Sequence, residues 1–211
     1  MGKTIIFDLD GTLTDSGEGI INCAELALRH FGLPVPDRQA MGVFVGPPLH
    51  DTFLKFGVPE DKLEEAVKVF RSRYTTVGKF ENTPYPGVHS MLQALKEQGH
   101  TLLIATSKPE NMAIEILEKF ELAQYFDRIC GATLDRSRIN KEDVIAYLLK
   151  CSNASQTRIM VGDTAFDVIG AAAHGIATVG VSWGYGSTEE MKNAGAVAIA
   201  DTMEQLLAIL I

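Results

Sequence analysis

The sequence predicts an α/β protein, a doubly wound parallel sheet that carries an inserted α-helical domain, and three observations support this. Short, nearly continuous apolar runs recur along the chain, as expected of strands buried on both faces of a parallel sheet. Helical patterns separate these runs, which is the order of βαβ units. A single long stretch, residues 15–82, has helical patterns but no convincing series of strands.

The predicted strands are short apolar runs, and the first three are followed by Asp8, Thr106 and Gly162-Asp163. They cover residues 4–7, 101–105, 158–161, 177–181 and 196–199.

The predicted helices repeat apolar residues at helical spacing, such as i, i+3, i+4 and i+7 in the 88–95 and 113–120 helices, so that one face is apolar. They cover residues 88–95, 113–120 and 144–149 of the α/β part, and 20–31 and 63–74 of the strand-free stretch. The segment Ser107-Lys108-Pro109-Glu110 indicates a capping box at the start of the 113–120 helix.

The strand-free stretch also suggests how the chain is divided. With 211 residues, the chain is long enough for a large domain with a smaller inserted one. We predict a core domain of residues 1–14 and 83–211 and a helical cap domain of residues 15–82, with hinges at residues 15–19 and 82–87.

Composition limits the partners. The formal net charge is −8 and the pI is near 5.1, so nucleic acid and anionic membranes would be repelled and neither is an expected partner. Three widely spaced cysteines argue against a disulfide framework or a zinc site. No apolar run approaches the length of a membrane span, and the opening residues have no leader pattern, so we expect a cytoplasmic protein.

Functional groups follow three of the predicted strands. Asp8, Thr106 and Asp163 stand at strand ends, and Lys141 opens a helix. Ligands of open α/β sheets bind outside the carboxyl ends of the strands. Several carboxylates around one point require a cation, and oxygen-only ligands favour Mg²⁺, which also bridges to phosphate.

The local sequence around these residues resembles the four motifs of the haloacid dehalogenase-like superfamily. The D-L-D-G-T run at residues 8–12 is similar to its motif I, residues 104–107 to motif II, Lys141 to motif III, and the G-D-x-x-x-D at residues 162–167 to motif IV. The strand-free stretch lies where one subfamily carries its cap. The resemblance covers essentially the whole chain and implies a Rossmann-like core under an α-helical cap.

The resemblance implies a role for each matching catalytic residue. Asp8 would attack phosphorus and form an acyl-phosphate that water then hydrolyses. Asp10 would protonate the leaving alcohol and later deprotonate the attacking water. Thr106 and Lys141 would bind the transferring phosphoryl oxygens, and Lys141 would also orient Asp8.

The resemblance also implies a Mg²⁺ site. Its ligands would be the Asp8 carboxylate, the Asp10 backbone carbonyl and Asp163. Asp167 would act behind them or through water, although Thr164 and Asp167 also have the spacing of a capping box.

Substrate contacts are expected from two parts of the chain. In the core they would come from Gly11, Thr12 and Ser107, partly through backbone N–H groups. In the cap they would come from Glu18, Gly46 and His50, with Lys79 as a further candidate.

The run at residues 11–16, the cap loop at residues 45–49 and the run at residues 84–87 most closely resemble the phosphoglycolate phosphatase-like group, which includes members labelled 5′-nucleotidase or pyrophosphatase. We therefore expect a Mg²⁺-dependent phosphatase acting on a small phosphorylated metabolite, phosphoglycolate-like or nucleoside-monophosphate-like. Relatives with this cap loop often have G-D-R in motif IV, whereas residue 164 here is threonine. Two alternatives stay open: a phosphomutase of the β-phosphoglucomutase type, and a non-catalytic phosphate-binding protein on the same fold. Oligomeric state is not readable from the sequence.

Overall fold

The computed structural model describes residues 2–135, 137–152 and 157–211. Over these residues the chain forms a parallel sheet of six strands in the order β5-β4-β1-β6-β7-β8, together with a two-stranded antiparallel ribbon, β2-β3. The strands are β1 (Thr4–Phe7), β2 (Thr14–Asp15), β3 (Thr83–Pro84), β4 (Thr101–Pro109), β5 (Arg128–Ala132), β6 (Arg158–Gly162), β7 (Ala177–Val181) and β8 (Ala198–Ala200).

Helices cover both faces of the large sheet and form the segment that follows β2. They are α1 (Gly17–His30), α2 (Arg38–Met41), α3 (Leu49–Lys55), α4 (Leu63–Tyr74), α5 (Val88–Glu97), α6 (Glu110–Lys119), α7 (Lys141–Cys151), α8 (Ala165–Ala172), α9 (Thr188–Asn193) and α10 (Met203–Leu210). None of the described helices has both the length and the apolar character of a membrane span.

The central position of strand β1 explains why Ile5, Ile6 and Phe7 are all apolar. Ile5 and Phe7 belong to the apolar cluster on one face of the sheet, whereas Ile6 belongs to the cluster on the other face. Alternate side chains of a strand point to opposite faces, so a strand covered on both sides must be apolar throughout. The predicted fold class, a doubly wound parallel sheet flanked by helices, is confirmed.

The helical stretch after β2 has an apolar core of its own. Phe44, Phe53, Phe70 and Ala24 lie in this core, with Met112 of α6 packed against it. The β2-β3 ribbon, in which Thr14 pairs with Pro84, joins both ends of the stretch to the sheet. The predicted boundaries, 14/15 and 82/83, fall in this ribbon. Independent movement of cap and core stays a prediction.

Three local expectations differ from the structure. Strand β5 was not predicted, because its sequence R-I-C-G-A mixes an arginine and a glycine with few apolar residues. The capping box at Ser107 is wrong: β4 continues to Pro109, which pairs with Ala132 after a register shift, and α6 begins at Glu110 without a side-chain cap. The last strand begins at Ala198 rather than at residue 196.

Candidate active site

The strand order places the predicted acids at one edge of the sheet. From β1 the chain moves first to β4 and β5 on one side and then to β6, β7 and β8 on the other, so a crevice opens at the carboxyl end of β1. Asp8 follows β1 directly, Asp163 follows β6, and Thr106 lies near the end of β4. The Asp8 backbone N–H donates to the Val161 carbonyl oxygen over 2.9 Å, which holds the two acidic strand ends side by side.

Lys141 connects two of the acids, Asp8 and Asp167. Its Nζ lies 2.7 Å from Asp8 Oδ1 and 2.8 Å from Asp167 Oδ1, and it donates to the Ala105 carbonyl oxygen over 2.9 Å. All three charged side chains are buried. Lys141 stands in the first turn of α7, whose N-terminus is capped by the Asn140 side chain, and this fixes where the lysine enters the site.

Asp163 is held by neutral donors. The Thr12 hydroxyl donates to Asp163 Oδ1 over 3.2 Å, and the Tyr185 backbone N–H donates to Asp163 Oδ2 over 2.8 Å. Gly11 and Gly184 pack so closely on this carboxylate that a Cβ at either position would overlap it. Gly11 and Thr12 therefore support Asp163 in this structure.

Burial and mutual repulsion raise the pKa values of Asp8 and Asp163. Burial, with smaller contributions from Asp167 and Asp10, raises the pKa of Asp8 to about 6 although Lys141 opposes the change. Burial together with Asp167 and Asp8 raises the pKa of Asp163 to about 8. Burial alone would lower the pKa of Lys141, but the carboxylates of Asp167 and Asp8 outweigh it, so this pKa is raised.

The acidic group fits a divalent cation. Asp8, Asp163 and Asp167 each offer a carboxylate oxygen, and these atoms lie within 4.8 Å of one another. Lys141 contacts two of these three buried carboxylates, so negative charge is left uncompensated, and ligands that are all oxygen suit a hard cation such as Mg²⁺.

Asp167 is also engaged by the protein. Its Oδ2 accepts from the Thr164 backbone N–H over 3.1 Å and from the Thr164 hydroxyl over 2.9 Å. The capping box predicted from the sequence is therefore confirmed. Since Lys141 contacts the other oxygen, this geometry agrees better with action behind the metal ligands than with direct coordination.

A buried lysine at this cavity that the sequence interpretation missed is Lys108. Its Nζ lies 2.7 Å from Asp10 Oδ2 and donates to the hydroxyl of Tyr74 in α4. Burial alone would lower the pKa of Lys108, but Asp10 and Tyr74 outweigh burial and the pKa is raised. The available signal was its position two residues after Thr106 at the end of a strand, and the mistaken capping box obscured it.

A cavity of about 140 Å³ lies between the strand ends and the helical stretch. Asp8, Asp10, Thr106 and Ser107 line it from the sheet side, together with Lys108. The opposite wall contains the predicted cap residues Gly46 and His50 and is otherwise largely apolar. Its other members from the helical stretch are Ile20, Phe44, Pro47, Pro48, Leu49, Val67, Phe70, Arg71 and Tyr74.

Two candidate cap residues lie elsewhere. Glu18 is exposed and lines a separate cleft beside Arg38 and Glu81. Ile20 of the same helix lines the cavity, and side chains two residues apart on a helix point in very different directions. Lys79 is paired with Glu115 of α6. The structure thus brings neither Glu18 nor Lys79 to the cavity.

The fold and these motifs place the chain among known proteins. Residues 5–181 match the haloacid dehalogenase-like hydrolase family, and the chain belongs to that family. The resemblance inferred from the sequence motifs is thereby confirmed.

Individual relatives carry different names. The chain is 40% identical over 190 residues to a 5′-nucleotidase of Pseudomonas aeruginosa, covering 89% of this chain and 86% of that protein. It is 42% identical over 207 residues to the tyrosine-protein kinase PtkA of Mycobacterium tuberculosis, covering 97% of this chain and 71% of the relative. The crystal structure of a predicted phosphatase from Clostridium acetobutylicum superposes with a TM-score of 0.95 at 41% identity, covering 100% of this chain and 98% of that one.

Proposed function

We propose that this protein is a Mg²⁺-dependent phosphatase that hydrolyses a small phosphorylated metabolite through an aspartyl-phosphate on Asp8. The observation that carries the proposal is the pairing of two buried carboxylates at one cavity. Asp8 is held by Lys141 beside the acidic cluster, and Asp10 lies two residues away on the same cavity wall. The phosphatase names among the relatives support the same activity.

The first chemical step uses both acids. An Asp8 carboxylate oxygen attacks phosphorus, the bond between phosphorus and the leaving oxygen breaks, and Asp10 gives its proton to that oxygen. Thr106 and Lys141 donate to the phosphoryl oxygens, where negative charge is spread in the transition state. A bound Mg²⁺, held by Asp8, Asp163 and the Asp10 carbonyl, would supply the charge neutralisation that the acidic cluster lacks.

The second step regenerates the enzyme. Asp10, now ionised, takes a proton from water as the water oxygen attacks phosphorus. The bond between phosphorus and the Asp8 oxygen breaks, which releases inorganic phosphate and restores the Asp8 carboxylate. Asp10 ends protonated, ready for the next turnover.

The residues that line the cavity favour particular classes of substrate. Phe44, Leu49 and Phe70 give the wall a mostly apolar surface, which favours an ester with an apolar ring, such as a nucleoside monophosphate. Arg71 also lines the cavity, and within the described part of the chain no carboxylate pairs with its guanidinium. It would suit an ester with a second anionic group, such as phosphoglycolate.

Arg71 also favours a second candidate function. A phosphomutase of the β-phosphoglucomutase type needs a cap cation that holds the second phosphate of a bisphosphorylated intermediate, and Arg71 stands in such a position. Sugar-phosphate isomerisation that depends on a catalytic amount of the sugar bisphosphate would identify this activity, whereas phosphate release alone would not.

The proposed partners follow from the charge. We propose a small phosphorylated metabolite as the partner, with neither nucleic acid nor membrane, because the net charge of −8 repels both. A cytoplasmic location is part of the same proposal.

The test is phosphate release from a panel of esters, with and without Mg²⁺, by wild type and Asp8→Asn. The panel includes phosphoglycolate, nucleoside monophosphates, sugar phosphates and pyrophosphate. We expect Mg²⁺-dependent turnover that Asp8→Asn lowers by at least on the order of 10³-fold. Absence of turnover on every ester by folded wild type would favour the phosphomutase or the phosphate-binding protein instead.

A further inference from the structure

We propose that Lys108 is a positioning residue that fixes the Asp10 carboxylate for proton transfer and ties it to Tyr74 of the cap. The proposal rests on the phosphatase function above, in which Asp10 is the general acid and base. It concerns a residue outside the four motifs on which that function was inferred.

The contacts give Lys108 two partners, one on each side of the cavity. Its Nζ lies 2.7 Å from Asp10 Oδ2, with the two side chains only 4% and 8% exposed. The same ammonium donates to the Tyr74 hydroxyl and lies 4.9 Å from the centre of the Tyr74 ring. A buried ammonium needs an acceptor, and Asp10 Oδ2 can accept from Lys108 whether Asp10 is ionised or carries its proton on Oδ1, so the pair keeps one arrangement through both chemical steps.

The two oxygens of Asp10 are treated differently. Oδ2 faces Lys108, whereas the buried Oδ1 has no hydrogen-bond partner within the described part of the chain. Anchoring one oxygen leaves the other available for the oxygen of the leaving group. A general acid must be held in hydrogen-bond reach of the atom that it protonates, so loss of the anchor would lower the rate of that transfer.

Lys108 is itself fixed from both sides. Its backbone N–H donates to the Thr106 hydroxyl over 3.2 Å, which joins it to a proposed phosphoryl-binding residue. Tyr74 is buried in the cap core and stacks on Phe70 with ring centroids 5.2 Å apart. The Tyr74 hydroxyl therefore links the cap to Asp10 through Lys108, and Asp10 is held most firmly when Tyr74 is in place.

Lys108 and Lys141 have distinct partners. Lys141 contacts Asp8 and Asp167, whereas Lys108 contacts Asp10 and Tyr74. A lysine that served only as a phosphate ligand would affect all esters alike. A lysine that positions the general acid affects mainly those esters whose leaving group must be protonated, and this difference can be measured.

The experiment compares two esters. p-Nitrophenyl phosphate has a leaving group that departs without protonation, whereas the best alkyl ester of the panel needs the acid. For Lys108→Met we expect kcat on the alkyl ester to fall about 100-fold and kcat on p-nitrophenyl phosphate to fall less than about 10-fold. Asp10→Asn, as the benchmark, should show the same bias, and Tyr74→Phe a smaller one in the same direction. Lys68→Met, at an exposed site of α4, should change neither rate.

The outcomes separate the two proposals. Equal losses on both esters, or a rise in KM with kcat unchanged, would overturn the positioning role while leaving the phosphatase function intact. Inactivity of wild type on both esters would overturn the phosphatase function itself. If Lys108→Met does not fold, Tyr74→Phe decides: a kcat ratio between the two esters equal to that of wild type would overturn the inference.

Discussion

At the scale of single residues, the balance of charge around Asp8 depends on Lys141. Three buried carboxylates lie close together, and this lysine contacts two of them. Breaking a buried charge pair by removing one partner is costly because the other charge stays buried and unpaired. Lys141 therefore has two effects, on the charge of the transferring phosphoryl group and on the position of Asp8.

Replacement of Lys141 tests this balance. For Lys141→Met we expect kcat to fall on the order of 10²- to 10³-fold on every ester, alkyl and aryl alike, because a donor to the phosphoryl group is lost. The uniform loss distinguishes it from Lys108→Met. Steady-state kinetics at saturating Mg²⁺ is the measurement, and Lys150→Met, exposed at the other end of α7, is the matched control. A loss confined to alkyl esters would contradict the assignment.

Arg71 should decide between the two substrate types. We expect Arg71→Gln to raise KM for phosphoglycolate at least about 10-fold, since a charge-assisted hydrogen bond to the carboxylate is lost. KM for a nucleoside monophosphate should change less than about 3-fold, because its leaving group is a neutral nucleoside. The exposed Arg29→Gln of α1 serves as the control. Equal changes for both esters would show that Arg71 does not contact the leaving group.

Single residues also show the limits of sequence interpretation. Asp8 and Asp163 were predicted to lie close together, and they do, because strand ends of a parallel sheet share one edge. Lys141 reaches Asp8 from the first turn of α7. Lys108 was missed because its partners are far away in sequence: Asp10 follows another strand and Tyr74 ends a cap helix. Glu18 was wrongly expected at the cavity, because a sequence position near a hinge does not reveal which side of the helix faces the cavity.

At the scale of elements, helix α1 packs closely against the short turn Gly78–Phe80, and glycines of both segments form the contact. A Cβ at Gly19 would overlap the Gly78 carbonyl oxygen, which is backbone and cannot move aside cheaply. Gly78 in turn lies against the Cys23 sulfur and Tyr74. The position of α1 over the cavity therefore depends on the absence of a side chain at residue 19.

Gly19→Ala tests that dependence. We expect the free energy of unfolding to fall by about 1–3 kcal/mol, the usual cost of forcing an extra carbon into a packed contact. Urea unfolding of the full chain is the measurement. Leu26→Ala on the exposed side of the same helix should change stability by less than about 1 kcal/mol. An unchanged midpoint for Gly19→Ala would mean that α1 shifts without cost.

The elements that the sequence predicted best are those with an uninterrupted apolar pattern. Strand β1 and helix α4 match because burial on both faces, or on one helical face, leaves a clear periodicity. Strand β5 is an edge strand, so one of its sides has no neighbour and its sequence is free to include Arg128 and Gly131. The end of β4 was misassigned because its bulge at residues 106–109 depends on pairing with β5, which no local pattern reveals.

At the scale of the whole molecule, the chain has a net negative charge and its candidate active site is a cluster of carboxylates. The net charge is −8, and the acidic cluster lies in the interior of the same chain. Asp8 and Asp163 have pKa values raised from 3.8 to about 6 and about 8, chiefly by burial. Between roughly pH 4 and pH 8 these two carboxyl groups therefore hold more protons in the metal-free folded chain than in the unfolded chain, and their contribution to stability falls as the pH rises through this window.

Binding of Mg²⁺ should restore the stability that is lost as the pH rises. The stabilisation by Mg²⁺ should grow with pH because the cation binds the ionised carboxylates. In thermal unfolding with Mg²⁺ or EDTA, we expect a larger Mg²⁺-dependent rise in Tm at about pH 8 than at about pH 5.5, where protons compete. At a Mg²⁺ concentration of 100 times the Kd the stabilisation is about 2.7 kcal/mol.

Asp163→Asn should remove most of the Mg²⁺ effect and make the metal-free Tm less sensitive to pH, because the buried carboxylate with the pKa near 8 is gone. The exposed Asp61→Asn changes the net charge equally and should behave like wild type. A pH dependence of the metal-free Tm that both variants reduce equally would assign it to general surface repulsion instead of the acidic cluster.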